Sequence, residues 1–170
     1  TSVTVISEPG FTIPAAVDEA LNAHQKAVYQ EKGRLTALFG RIDSRTSALT
    51  KIEQYVTDRP TADKELLTAM SNMKAELKAL REKGKPTAGA RQVGAWQTLE
   101  VSPWSLMQEV EMVAMSRHVA PSEQEWQRIA RAKDAIDAFD KQVTGFVSTS
   151  WKTFETKIQA VGMKWFEGVE

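Results

Sequence analysis

The sequence predicts an all-α fold: an up-down four-helix bundle with two long and two short helices, preceded by one orphan β-strand. Three observations carry this. Apolar residues occupy one heptad position six times running, at Leu21, Val28, Leu35, Ile42, Leu49 and Val56, the spacing of a helix that keeps one face against a partner. Two junctions, Ser102-Pro103 and Ser122-Glu123-Gln124-Glu125, have the form of helix starts. The first six residues, Thr1-Ser2-Val3-Thr4-Val5-Ile6, alternate polar and apolar as a strand does.

Taken in order, residues 1–12 read as the closing strand and turn of a β-rich domain lying upstream, because a lone strand needs sheet partners and no other segment reads as one. Residues 13–170 form the helical bundle. The first helix spans 14–57, with Pro14 in its first turn, where a missing N–H costs nothing. Its companion heptad position is mixed (Val17, His24, Glu31, Leu38, Arg45, Ile52), so it is a bundle helix rather than a self-sufficient dimeric coiled coil. Gly33 and Gly40 within it mark either tolerated defects or a close helix approach. Arg59-Pro60 breaks the chain. The second helix spans 62–83 on the stripe Leu66, Met70, Met73, Leu77 and Leu80, and Gly84 suits the position after a helix end. An irregular linker, 84–101, follows. The third helix runs from Ser102 to about His118, and the fourth from about 123 to 167, on a stripe that includes Trp126, Ile136, Phe139, Val143, Trp151, Phe154, Ile158 and Trp165.

Rods of about 66, 33, 24 and 68 Å at 1.5 Å per residue suggest a first helix running the full length, a second returning half way, a third reversing again, and a fourth running the full length. One half is then a four-helix bundle and the other a two-helix stalk, 14–35 against 148–168. All five tryptophans lie in the second half of the sequence. A two-helix stalk is too thin to bury Trp151, Phe154, Trp165 and Phe166. These rings, with Trp96 of the linker, are the candidate partner-binding residues. Cover by the 84–101 segment is the competing expectation.

Composition narrows the chemistry. The 22 basic and 22 acidic residues cancel, and neither half hides a basic excess: residues 1–85 carry 13 basic and 11 acidic groups, residues 86–170 carry 9 and 11. That argues against a nucleic-acid partner read through a basic surface. Without cysteine there is no disulfide scaffold, thiolate metal site or cysteine nucleophile. No apolar run approaches the roughly 20 residues that span a bilayer, so no membrane insertion is expected. His24 and His118 lack metal-ligand companions at helical spacing, and no cofactor is implied. Asp134, Asp137 and Asp140 read as a solvated helix face. Lys74, Lys78, Arg81, Lys83 and Lys85, interspersed with Glu76 and Glu82, suit ordinary pairing along one helix. The six methionines read as core filler.

The layout resembles the C-terminal helical region of secreted bacterial sortilin-type, BNR-repeat β-propeller proteins. Val3-Thr4-Val5-Ile6 with Pro9 resembles a closing strand and turn, the helix from Val17 the first long helix, and Val119-Ala120-Pro121-Ser122 leading into Trp126-Gln127-Arg128-Ile129 the break and final helix. The resemblance implies an extracytoplasmic accessory domain, periplasmic or secreted. Any catalytic surface would belong to a propeller, so it carries no site onto these residues. The expected function is therefore a non-enzymatic helical module that packs on a larger β-rich protein or assembly. The rival expectations are a free-standing, self-associating coiled-coil scaffold of phasin-like character and a small-ligand-binding four-helix bundle.

Overall fold

The computed structural model describes residues 13–57, 64–86, 101–115 and 119–160, and all regular structure within them is helical. The strand expected at residues 1–6 lies outside the described residues. Helix α1 spans Ala15–Thr57, α2 Lys64–Gly84, α3 Pro103–Ala114, α4 Glu123–Phe146 and α5 Lys152–Ala160. A π-helical segment, Val147–Trp151, joins α4 to α5 without leaving helical backbone angles, so the three make one rod.

The helix starts follow from local chemistry. Ser102 accepts a hydrogen bond from the backbone N–H of Ser105 at 3.1 Å, and Pro103 follows it. At the second junction the Glu125 carboxylate reaches back and accepts from both the N–H and the hydroxyl of Ser122, each at 2.7 Å. These bonds satisfy donors that a helix start would otherwise leave open.

Cross-helix pairs fix the directions. Lys74 meets Glu53 and Arg81 meets Asp43, so α2 runs antiparallel to α1. Lys32 meets Glu111, and Phe39 stacks edge-on against Trp104 at 6.1 Å, so α3 is antiparallel to α1 as well, one half-length further along. His24 meets Trp126, Arg34 meets Asp137 and Arg41 meets Asp140, so α1 and α4 run parallel. Helices α2 and α3 are therefore two halves of one interrupted return rod, and the described residues form three rods. This corrects the expected two-helix stalk beside a half-length four-helix bundle. Helices of 21 and 12 residues laid end to end span about three quarters of the 43-residue α1, and that arrangement gives most of α1 a neighbour.

The core is continuous. All six residues of the α1 heptad are buried, as are Leu38 and Ile52 on its companion position and the α2 stripe Leu66, Met70, Met73, Leu77 and Leu80. The seam of α1 is thus filled within one chain. At the α2–α3 break, Phe39, Phe139 and Trp104 form an aromatic node, with Lys85 Nζ 3.9 Å from the Trp104 ring centroid. Gly84 belongs to this node. A Cβ there would lie 2.5 Å from Phe139 and 2.9 Å from Phe39. The glycine is required by a close approach of rings inside the last turn of α2, not as a cap. Gly33 and Gly40 are exposed, and nothing lies within 4 Å of where their Cβ atoms would sit, so neither marks a helix contact.

Candidate functional site

The end of the bundle where α1 begins, α3 stops and α4 starts carries an unusual set of exposed side chains. Trp126 is 40% exposed, Tyr29 59% and Met115 73%. Tyr29 and Met115 line one small cleft with Gln25 and Val28. Trp126 packs edge-to-face on the His24 imidazole at 5.1 Å, one helical turn from Val28. Met112 on α3 and Val119 in the α3–α4 turn are also exposed. Under this surface His24 and the Glu125 carboxylate are both buried. Chemically, indole, phenol and thioether groups offer apolar area with few polar handles. Such a surface gains free energy by being covered.

The residues expected to face a partner fall elsewhere. Trp151 is 1% exposed and Phe154 3%; both sit in this chain's own core. This is a correction, and its cause is the third rod: α2 lies alongside the π segment and α5, so no thin stalk exists at that level. The Trp151 indole N–H donates to Glu155 Oε1, and the Arg45 guanidinium sits 5.7 Å from the ring. Burial, then the neighbouring Arg41, lower the Arg45 pKa, and Glu155 opposes them. Trp96, Trp165 and Phe166 lie outside the described residues.

Charged groups tie the rods together. Asp137 and Asp140, expected on a solvated face, instead receive Arg34 and Arg41 from α1. The Arg34 hydrogen bond holds the Asp137 carboxyl below its ordinary value, and the same bond raises Arg34. Lys74 and Arg81 pair across to α1 rather than along α2. Three methionines, Met70, Met73 and Met107, fill the core as expected, but Met112 and Met115 do not. The general reading of the methionines as core filler fails at Met112 and Met115, which lie outside the apolar side of the third helix and are exposed.

Among the described residues, no group of three or more His, Asp or Glu side chains converges to hold a metal ion, and no helix is long and apolar enough to cross a membrane. Comparison of the chain with protein-family models, with curated proteins and with solved structures gave no match.

Proposed function

We propose that the chain is a non-enzymatic helical interaction module that packs, by the α1-start end of its bundle, on a larger β-rich extracytoplasmic protein. The observation that carries this reading is the exposure of Tyr29, Met115 and Trp126 together at one end. Tyrosine and tryptophan are the side chains on which binding energy concentrates at protein interfaces. Exposed apolar clusters on a protein that already has a filled core mark places where something docks. The layout resemblance to the helical region of BNR-repeat propeller proteins supplies the β-rich character of the partner. The alternating segment Thr1–Ile6, which precedes α1 in the sequence, supports it by its strand-like pattern.

The test is site-specific photocrosslinking in the native host from positions 115 and 126, with position 78 on the exposed face of α2 as control. Crosslinks from the first two positions to a β-rich extracytoplasmic protein are expected. Crosslinks only to a second copy of the chain would instead favour the self-associating scaffold, and equal crosslinking from position 78 would overturn the assignment of the surface.

A further inference from the structure

The chain has no net charge, yet its described charges are sorted by end. Around the α1-start end, residues 13–30, 108–115 and 119–130 hold six carboxylates and two cations. Around the far end, residues 45–57, 64–75 and 147–160 hold three carboxylates and six cations. Half of the six carboxylates are engaged within the chain. Glu109 pairs with Arg128, Glu111 pairs with Lys32, and buried Glu125 accepts from Ser122. Asp18, Glu19 and Glu123 are exposed and make no ion pair among the described residues. Asp18 accepts only a long bond from the Asn22 amide, at 3.3 Å, and Glu123 one from the Gln127 amide, at 3.4 Å. Helix dipoles do not cancel this excess. The starts of α1 and α4 each bring about half a positive charge here, and the end of α3 takes about half back.

The register of the rods places these carboxylates beside the exposed rings. His24–Trp126, Arg34–Asp137 and Arg41–Thr144 set α1 against α4 with a constant offset of 102 or 103 residues. Glu19 therefore stands level with Ser122, and Glu123 with Ala20: two carboxylates at one height, one on each rod. Trp126 follows Glu123 by three residues, about 5 Å further in, and that spacing puts both on one face of α4. Asp18 and Tyr29 share a face of α1, eleven residues or about three turns apart. Lys26, two turns inward from Glu19, is the exposed cation of this surface. Tyr29 and Trp126 are the large exposed rings of the described residues. An unpaired carboxylate elsewhere, such as Glu82 on α2, has no exposed ring on its face.

We propose that the protein face docked at this end is basic: one of its Lys or Arg side chains lies on the Trp126 ring with its cation against Glu123, and a second meets Asp18 and Glu19. A ring and a carboxylate one turn apart suit such a side chain in both its parts. The aliphatic stem covers indole, and the charged head is attracted by the ring face and by the carboxylate. Apolar groups between the two cations cover Tyr29 and Met115. Complementary charge of this kind sets the orientation of docking and speeds encounter. The inference deepens the end-docking reading and rests on it.

The test reads capture by a photoreactive residue at position 115 of the full chain in its native host, with Trp126 left in place. Glu123→Arg, and separately the pair Asp18→Lys with Glu19→Lys, should each lower the yield by roughly fivefold or more. Glu82→Arg, the same change of charge on α2, should leave it unaltered. Mass spectrometry of the crosslinked peptide should find a partner segment with Lys and Arg in excess of Asp and Glu. Circular dichroism checks that the variants fold. The unaltered chain gives a reading that needs no variant, since its yield in lysate should fall between low and high salt. Full yield from both altered ends, or a captured segment rich in carboxylates, overturns the proposal and leaves the end-docking reading standing. An equal loss with Glu82→Arg also overturns it, because net charge is then the cause. Capture of a second copy of this chain overturns it as well. No capture from position 115 of the unaltered chain is the distinct result that sinks the end-docking reading, and this inference with it.

Discussion

Three glycines sit inside helices α1 and α2, and their surroundings separate them. Gly33 and Gly40 have open space where a Cβ would go. Each costs helix stability of roughly 1 kcal/mol relative to alanine, so Gly33→Ala and Gly40→Ala should each stabilise by up to about 1 kcal/mol in urea unfolding. Gly84→Ala should do the opposite, by about 1–3 kcal/mol, as overpacking does. Its Cβ would press on Phe139 and Phe39, rings already held by the α2–α3 node. Asp137 gives a second test at this scale. Its carboxyl is held below the ordinary value by Arg34, with Lys133 and Lys141 adding to the effect. A depressed folded-state pKa adds stability that is present above the unfolded value and is lost as pH falls through the folded one. Asp137→Asn should therefore be less stable than the unaltered chain at pH 7. The difference should narrow as pH drops below about 4, near the model-compound value of 3.8, and thermal unfolding across pH 2–7 measures it.

At the scale of elements, the C-terminal rod shows what sequence patterning reveals and what it hides. Its core residues fall at 136, 143, 151 and 158: two steps of seven around one step of eight. An α-helix with a seven-residue repeat cannot absorb an eight without turning the next core residue about 100° off the seam. The π segment Val147–Trp151 takes up the extra residue, and the hydroxyls of Ser148 and Thr149 both donate to the Gly145 carbonyl beside it. Deleting exposed Thr149 should thus be tolerated: the step becomes seven, the segment becomes α-helical, and stability should stay within about 1 kcal/mol. Deleting the equally exposed Lys133 should destroy cooperative unfolding, because Ile136, Phe139 and Val143 all rotate away from the core. The irregular step was present in the sequence, yet periodicity alone read the stretch as one plain helix, because Phe146 and Val147 both continue an apolar stripe. Helix boundaries were legible for a different reason. Ser102, Pro103, Ser122 and Glu125 act through local bonds that need no tertiary information. The exposed surface of Tyr29, Met115 and Trp126 was not legible, since each of these residues has a plausible core reading until the neighbouring rods are placed.

Across the whole molecule, the deciding question is whether the two short helices lie side by side or end to end. Helix lengths allow both. Side by side, α3 runs parallel to α1 near residues 43–57, and half of α1 is left with a single neighbour. End to end, α3 runs antiparallel to α1 near residues 28–39, and both Phe39 and Phe139 are enclosed at the junction. The second arrangement buries the entire α1 heptad, Leu21 through Val56, so burial of apolar area favours it over the first. Electrostatics supports the same choice: Lys32–Glu111 and Arg128–Glu109 hold α3 in that register, but exposed pairs of this kind contribute a few tenths of a kcal/mol each and set register rather than stability. The chain has no native cysteine, so introduced pairs report position without background. With a short bismaleimide reagent, the pair Lys32→Cys and Glu111→Cys should crosslink within one chain and migrate as an altered monomer. The pair Gln54→Cys and Glu111→Cys should not, since residues 32 and 54 are separated by about 33 Å along α1. The reverse result would restore the side-by-side bundle and with it the thin stalk, and the burial of Trp151 and Phe154 would then need another cause.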